Sequence, residues 1–384
     1  MNRGGSGKEV RAGSALTDGQ RRDWLRLIRS QNVGPVAFRQ LVNRFGSAAA
    51  ALDALPDLAR RGGGRAPRIA TERAVDDELA VARRHGARFV ALGEPDYPVA
   101  LAAADAPPPL LALRGAAGTL TRRTVGVVGS RNASMAGTTM CERLCAAFGR
   151  ADYTVASGLA RGVDASAHRA ALGTGTTACM AGGLDKPFPP ENVPLMEEIV
   201  ARDGAVVSEM PFGWVPRARD FPRRNRLIAG LSLGVVVVEA ATRSGSLITA
   251  RLANEMGRLV FAVPGNPLDP RAAGTNALIK NGATMVTEAD DVLDALDPLT
   301  DPRPAGAPTL FEGGDAAHDD EGEETDPPPG ERERVLHALG PTPVAVDEMI
   351  ARLGVAPGTV QTVLLELELA GRLERHRGGF VSLV

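Results

Sequence analysis

An arginine-rich run near the centre of the chain carries side chains of the types that bind phosphate. The run and its aromatic neighbour are Phe221, Arg223, Arg224, Asn225 and Arg226. Guanidinium groups form paired hydrogen bonds with phosphate oxygens, and an aromatic face can stack on a nucleic-acid base. So dense a run favours an anion-binding groove, whereas the more isolated Arg217 and Arg219 are assigned to ordinary ion pairs.

Three further segments place small and polar residues where an apolar stretch gives way to a helical one. They are Gly129, Ser130, Arg131 and Asn132; Ser157, Gly158, Arg161 and Gly162; and Ser244, Gly245 and Ser246. The amides of such turns, and those of a helix N-terminus, are natural phosphate ligands. The turn at Gly129 alone is equally consistent with a tight turn that packing requires, whereas for Ser244, Gly245 and Ser246 we favour phosphate binding over helix capping.

Asp164 and His168 lie one helical turn apart and could suggest acid–base chemistry. We interpret Asp164 as a helix cap and His168 as a hydrogen-bond partner of a neighbouring strand end. The sequence therefore predicts no catalytic residue.

Motifs for common cofactors are missing from the chain. No G-x-G-x-x-G with an acidic partner supports a dinucleotide, and no G-x-x-x-x-G-K-[S/T] supports a nucleoside triphosphate. Cys141, Cys145 and Cys179 fit neither a zinc spacing nor a disulfide framework. We expect no metal and no cofactor.

Short apolar segments alternate with helical ones through the central part of the chain. The expected strands are Val125 to Val128, Tyr153 to Ala156, Thr177 to Met180, Ala205 to Val207, Gly234 to Val238, Leu259 to Val263 and Thr284 to Val286. This alternation predicts an α/β fold with an extended Rossmann-like, doubly wound parallel sheet. Ligands of such sheets bind beyond the carboxyl ends of the strands.

Composition divides the rest of the chain around that sheet. We predict a disordered leader over residues 1–16, an N-terminal helical domain (SAM-like or helix-hairpin-helix) over 17–60 and a connecting segment over 61–115. The Rossmann-like domain follows over 116–297, then an acidic disordered linker over 298–330 and a winged helix over 331–384. In the N-terminal domain, a phosphate-binding hairpin and a plain helical hairpin are equally consistent with the sequence.

The expected recognition helix of the winged helix, about Pro357 to Ala370, carries Glu366 and Glu368 but no lysine or arginine. Like-charge repulsion would oppose its insertion into a DNA groove. A protein-contact or structural role is therefore favoured over DNA reading.

Charge and hydropathy suggest where the protein works. The formal net charge is −2, but acidic residues cluster between Glu312 and Asp326, whereas arginine predominates in the central run. No apolar stretch is long enough to span a membrane and no signal peptide is visible, so we expect a cytoplasmic protein without membrane contact.

Taken together, the motifs resemble those of the DprA/Smf family. Residues 157–168 read SGLARGVDASAH, similar to the family's S-G-x-A-x-G-x-D-x-x-A-H, and residues 221–232 read FPRRNRLIAGLS, similar to F-P-x-R-N-R-x-I-A-G-L-S. Residues 129–131 (GSR), 237–240 (VVEA), 244–250 (SGSLITA) and 261–265 (FAVPG) follow the family order. Phe188 stands where the family usually has tyrosine, and residues 180–185 (MAGGLD) also depart from its pattern.

The resemblance implies a recombination mediator of natural transformation rather than an enzyme. Such a protein binds single-stranded DNA without sequence preference through the Rossmann-like domain, and the glycine, serine and arginine segments above supply its site. It protects incoming DNA, forms a homodimer through the same domain, and loads RecA onto the strand. The alternative is a nucleotide-binding hydrolase of a related fold, but the P-G-G-x-G-T block of such enzymes is missing, and Glu239 is the one acid at a strand exit beside the predicted pocket.

Overall fold

The computed structural model describes residues 15–299 and 328–384. These residues form two compact units, one of residues 77–299 and the other of residues 16–76 together with 328–384. The predictions for the leader and for most of the acidic linker lie outside the described residues.

Helices and strands alternate through the central part of the chain, as the apolar pattern predicts. The helices are α1 (Asp18–Arg29), α2 (Pro35–Phe45), α3 (Ala48–Arg61), α4 (Glu72–Arg84), α5 (Val99–Ala102), α6 (Ala117–Leu120), α7 (Met135–Arg150), α8 (Val163–Ala171), α9 (Val193–Ala201), α10 (Asp220–Leu231), α11 (Gly245–Glu255), α12 (Ala273–Lys280), α13 (Asp290–Leu296), α14 (Pro329–Ala338), α15 (Val346–Leu353) and α16 (Pro357–Leu369). The strands are β1 (Ala87–Ala91), β2 (Leu110–Gly115), β3 (Thr124–Val128), β4 (Thr154–Ser157), β5 (Thr176–Cys179), β6 (Ala205–Ser208), β7 (Gly234–Val237), β8 (Leu259–Ala262), β9 (Thr284–Met285), β10 (Val344–Ala345), β11 (Leu373–Arg375) and β12 (Phe380–Leu383).

A nine-stranded sheet in the order β1-β2-β6-β5-β4-β3-β7-β8-β9 forms the centre of one unit. Strands β3 to β9 run parallel, and each agrees with a predicted strand to within one residue at either end. All residues of β3 to β7 are buried, because helices cover both faces of the sheet. The predicted doubly wound fold is confirmed.

The strand order reverses at β3, the first strand of the parallel set. Strands β4, β5 and β6 extend the sheet on one side of β3, and β7, β8 and β9 extend it on the other. The loops that leave β3 and β7 therefore diverge, and the gap between them is the topological switch point where such folds bind ligands.

The segment 61–115 is more than the connection predicted from the sequence. It contains β1 and β2, and β2 pairs antiparallel with β6, so the sheet begins ahead of the boundary placed at residue 116. The many prolines near β2 are typical of a linker, and the sequence analysis therefore predicted a connecting segment here. Its residues Leu110 to Leu113 are nevertheless buried, because the edge of β6 supplies the backbone partners that a local pattern cannot reveal.

The second unit joins the N-terminal helices to the winged helix. Helices α1 and α2 pack through Trp24 and Phe38, whose ring centroids lie 5.0 Å apart. The three helices α14 to α16 and the sheet β10-β12-β11 form the predicted winged helix around its own apolar cluster.

Helix α16, the expected recognition helix, packs closely against α3 of the N-terminal helices. A Cβ atom added to Gly62, just after α3, would lie 2.1 Å from the carbonyl oxygen of Glu366. At the end of α16, Asn32 from the α1–α2 hairpin donates a hydrogen bond to the Leu369 carbonyl at 3.0 Å. Helix α16 thus makes a structural contact with the N-terminal helices of its unit.

The two acidic residues of α16 both pair with arginines inside this unit. Glu366 is fully buried, and Arg332 on α14 lies 2.6 Å from its carboxylate without the alignment of a hydrogen bond. Glu368 accepts a hydrogen bond from Arg375 at 2.6 Å. These carboxylates therefore hold the unit together.

Candidate phosphate-binding site

A cavity of about 550 Å³ opens at the switch point. The loop after β3 supplies one wall, the first turns of α10 a second, and the start of α11 a third. The predicted site residues that line it are Gly129, Ser130, Arg131, Asn132, Phe221, Arg224, Asn225, Ser244, Gly245 and Ser246. Segments far apart in the sequence thus meet at one place.

Two guanidinium groups flank the ring of Phe221 in this cavity. Arg131 is exposed, with its guanidinium carbon 5.6 Å from the ring centroid, and Arg224 is at 5.9 Å. No carboxylate of the described residues pairs with Arg131. Two like charges placed together this way favour the binding of an anion between or beside them.

Arg224 is held deep in the wall, with 5% of its surface exposed. Its Nη1 donates to the Cys179 carbonyl at 3.3 Å, whereas its buried Nε has no hydrogen-bond partner among the described residues. Burial lowers the pKa of this guanidinium, and the nearby Asp164 carboxylate opposes that shift. A buried donor without a partner is costly, and an anion in the cavity would relieve that cost.

Gly158 leaves the room in which Arg224 and Asp164 meet. A Cβ atom at this position would lie 1.5 Å from Arg224 Nη1 and 2.7 Å from Asp164 Oδ2. No other amino acid fits here without displacing the guanidinium. Ser157, Gly158 and Gly162 therefore form a wall behind the cavity rather than its lining.

Asp164 does not cap its helix as the sequence suggested. Gly162 occupies the N-cap of α8 with φ 70°, and the Asp164 carboxylate instead accepts a hydrogen bond from the Ala160 amide at 3.3 Å. Burial raises the pKa of Asp164, and Arg224 opposes the rise. The carboxylate therefore holds the loop before α8 and not the N-terminus of the helix.

His168 makes the strand-end contacts that the sequence suggested. Leu159 donates its amide to Nε2 at 3.3 Å, and Nδ1 lies 2.7 Å from the Thr176 hydroxyl. Because that hydroxyl donates to the Val155 carbonyl, Nδ1 is the protonated nitrogen of a neutral ring. Burial lowers the pKa of His168 to about 3.

This buried histidine predicts a pH-dependent stability. The unfolded chain binds a proton at His168 near pH 6.5 and the folded chain only near pH 3, so its stabilising contribution is complete above pH 6.5 and falls as the pH decreases. We expect about 2 kcal/mol of unfolding free energy to be lost between pH 7 and pH 5 through this group.

Urea unfolding of the parent and of His168→Asn at pH 7, 6 and 5 measures this loss. The variant should be less stable at pH 7 but should lack the decrease, whereas His85→Asn, at an exposed position, should retain it. An unchanged pH dependence in His168→Asn would contradict a neutral, buried ring.

The start of α11 presents amides and hydroxyls to the cavity. Ser244 caps the helix, its hydroxyl accepting from the Ser246 amide at 3.3 Å and lying 2.7 Å from the Ser246 hydroxyl. Asn225 donates to the Gly245 carbonyl at 3.2 Å and so ties α10 to this helix start. The arrangement suits an anion because the helix dipole and the amides act in the same direction.

Three arginines predicted for the site have carboxylate partners outside the cavity. Arg161 pairs with Glu191. Arg223 and Arg226 share Glu209, at 2.9 Å and 2.5 Å. The structure thus brings Arg131 and Arg224 together in the cavity but leaves these three arginines outside it. Arg243, directly before Ser244, also lines the cavity, and the sequence analysis did not identify it.

No group of acidic, histidine and cysteine residues suited to a metal ion occurs within residues 15–299 and 328–384. Over the same ranges, no helix has both the length and the apolar character needed to span a bilayer. Glu239, the acid at the exit of β7, binds the Ser134 hydroxyl and amide at 2.5 Å and 3.0 Å, and so fixes the start of α7.

The described residues define a protein with a Rossmann-like sheet unit and a helical unit that includes a winged helix. Residues 88–297 match the family model for DNA recombination-mediator protein A, residues 18–81 the DprA-like N-terminal HHH domain, and residues 320–379 the DprA winged helix domain. The chain belongs to the DprA/Smf family of DNA recombination-mediator proteins.

Named relatives agree with this assignment. Protein Smf of Escherichia coli is 39% identical over 289 residues, which cover 75% of each chain. The X-ray structure of DNA processing protein A from Streptococcus pneumoniae superposes with a TM-score of 0.59 and 32% identity over 74% of this chain and 99% of that one. DNA processing protein A from Helicobacter pylori, whose structure concerns its single-stranded DNA binding mode, gives a TM-score of 0.50 and 26% identity over 55% and 96%.

Proposed function

We propose that this chain binds single-stranded DNA without sequence preference, with a backbone phosphate held in the switch-point cavity. The observation that carries the proposal is the cavity's set of donors: Arg131 and the Nε of the buried Arg224, neither with an acceptor among the described residues, and the first-turn amides of α11. The single-stranded DNA binding described for the Helicobacter pylori relative supports the same ligand.

Two features favour single strands over duplexes, one in the cavity and one in the winged helix. The ring of Phe221 lies within the donor set, and an unpaired base can stack on it whatever its identity. In addition, α16 packs on α3 and carries no basic residue, so it offers no positive helix face to a DNA major groove.

The protein acts by binding rather than by catalysis. Asp164 is tied to a loop amide, His168 is sealed between two strands, and Glu239 is engaged by Ser134, so each candidate acid or base has a structural partner. A nucleotide hydrolase of related fold would need a positioned water-activating group, and these contacts leave none of the three free for that task.

Membership of the family indicates the biological role of the proposed DNA binding. A mediator that protects incoming strands, forms a homodimer through its Rossmann-like domain and loads RecA in the cytoplasm has to hold DNA tightly yet independently of sequence. Binding through the phosphate backbone has that property, because every nucleotide carries the same charge.

Arg131→Gln tests the proposal because it removes an exposed donor of the cavity. We expect oligo-dT binding to weaken by about 1–3 kcal/mol, or about 5- to 150-fold, with unchanged thermal stability. Fluorescence anisotropy with labelled oligo-dT and a matched duplex at two salt concentrations gives the measurement.

The matched control is Arg169→Gln, an exposed arginine in the last turn of α8, at the opposite edge of the sheet from the cavity. It should bind like the parent. Equal affinity of the parent for duplex and single strands, or nucleotide hydrolysis that is lost in Arg131→Gln, would contradict the proposal.

A further inference from the structure

The walls of the switch-point cavity carry more positive than negative charge. The ionisable residues that line it are Arg131, Arg224, Arg243 and Asp164, so three guanidinium groups face one carboxylate and the net charge of the lining is +2. A phosphodiester inside a nucleic-acid strand carries a single negative charge. One such group in the cavity therefore leaves part of the positive charge uncompensated.

Arg243 places its charge at the start of α11, where that helix has no acid to balance it. The side chain is exposed and lies directly before Ser244, the N-cap residue. The first turn of α11 contains no acidic residue, and no carboxylate in the described part of the chain pairs with Arg243. A cation at a helix N-terminus is unfavourable unless an anion accompanies it. The ligand of the cavity would supply that anion.

The wall formed by α10 contributes a buried donor that is still unused. Arg224 is 5% exposed, and its Nε has no hydrogen-bond partner among residues 15–299 and 328–384. The Asp164 carboxylate offsets part of its charge but already accepts a hydrogen bond from the Ala160 amide at 3.3 Å. Arg224 therefore retains hydrogen-bonding capacity for an anion in the cavity.

Three walls with one cation each match the shape of a terminal phosphate. The loop after β3 provides Arg131, α10 provides Arg224, and the start of α11 follows Arg243. A phosphomonoester carries a charge of about −1.5 to −2 at pH 7 and has three strong acceptor oxygens. An internal phosphodiester has fewer free oxygens, because a second ester bond continues the strand. The phosphomonoester thus fits both the charge and the number of the cations.

We infer that the switch-point cavity prefers a phosphomonoester dianion, the group at a phosphorylated end of a DNA strand, over a phosphodiester within the strand. This inference rests on the proposed function, since the same cavity and the same strand are involved. The ring of Phe221, between Arg131 and Arg224, then stacks on the terminal base. A free nucleoside monophosphate offers the same phosphate and base, and is the second source of this chemistry.

Matched short strands isolate the second negative charge. Oligo-dT of about five nucleotides is prepared with a phosphate or a methylphosphate at the 5′ or the 3′ end, and with hydroxyls at both ends. Each strand competes with a fluorescein-labelled oligo-dT for the full-length protein. The methylphosphate has the same phosphorus and oxygen atoms but carries one charge. At one or both ends, the phosphate should bind about tenfold more tightly than its methyl ester, which corresponds to about 1.4 kcal/mol.

Arg243→Gln should remove most of this advantage. The substitution lowers the net charge of the lining to that which a single phosphodiester balances, so the phosphate and its methyl ester should differ by less than about twofold. Arg251→Gln is the matched control, because Arg251 lies about two turns further along α11, is exposed, and pairs with Glu255 outside the cavity. This variant should keep the parent's tenfold difference, and both variants should keep the parent's thermal stability.

Free nucleotides distinguish the two sources of the dianion. Thymidine 5′-monophosphate and its methyl ester are added as competitors of the labelled strand. Displacement by the monophosphate at about tenfold lower concentration than by the ester would show that the cavity also accepts free nucleotides. Equal displacement by the two, together with a gain for a phosphorylated strand, would assign the preference to strand ends.

The outcomes separate this inference from the proposed function. If neither the phosphorylated strands nor the monophosphate binds more tightly than its methyl ester, while oligo-dT with hydroxyl ends binds, the preference is overturned and backbone binding stands. An advantage that persists undiminished in Arg243→Gln would overturn the assignment of the dianion to this cavity. If the parent binds none of the strands, both proposals are overturned.

Discussion

Arg224→Ala should lower the free energy of unfolding of the sheet unit by about 3–5 kcal/mol, besides weakening DNA binding. The guanidinium and the Asp164 carboxylate both lie beside Gly158 in the cavity wall, and both residues are buried. Removing the arginine leaves a buried carboxylate without its counter-charge. Hydrogen exchange of β3, β4 and β5 in urea would measure the loss.

Substitution of Arg131, the other arginine beside Phe221, should have little effect on stability. Arg131 is exposed and pairs with no carboxylate in the part of the chain that the structure describes, so Arg131→Ala should change stability by less than about 0.5 kcal/mol. Asp164→Asn should recover part of the stability in the Arg224→Ala background, because it removes the uncompensated charge. Equal stability of Arg224→Ala and the parent would show that the buried pair contributes nothing to folding.

Arg332→Ala should destabilise the helical unit by a similar amount, about 3–5 kcal/mol. Glu366 is fully buried on α16, and Arg332 is its ion-pair partner at 2.6 Å. Arg332 also donates to the Arg61 carbonyl at 3.1 Å and so links the winged helix to the end of α3. Protection of the amides of α16 and α3 from hydrogen exchange should fall together.

A surface pair in the same winged helix is the control. Arg352 pairs with Glu348 at 2.6 Å, but both side chains are largely exposed, so Arg352→Ala should cost less than about 1 kcal/mol. Arg332→Met combined with Glu366→Leu should restore most of the loss, since apolar side chains can replace a buried pair. Protection lost in α16 but kept in α3 would contradict one cooperative unit.

The sequence determined the parallel sheet and the winged helix because their signals are local. Short apolar runs predicted β3 to β9 to within a residue. For β3 to β7 the signal is strong because a strand covered on both faces must be apolar along its whole length. The glycine and serine residues predicted the loops of the cavity because turn signals are also local in the sequence. Gly158 and Gly162 occupy places where a side chain or an ordinary φ would not fit.

The antiparallel edge was decided by contacts distant along the chain. Strand β2 looks like part of a proline-rich connection until β6, about ninety residues further on, provides its hydrogen-bond partners. Helix α16 was visible as a helix, but its docking on α3, some three hundred residues away, was not.

Which arginines near α10 have carboxylate partners was likewise decided by the tertiary structure. The sequence favoured Arg223 and Arg226 as phosphate ligands and left Arg217 and Arg219 to ion pairs, and the structure reverses the pairing. Glu209, directly after β6, pairs with the first two, and no carboxylate among residues 15–299 and 328–384 pairs with the second two. Periodicity and turn chemistry depend on near neighbours, so a single sequence reveals them; which charges are neutralised depends on side chains that only the fold brings together.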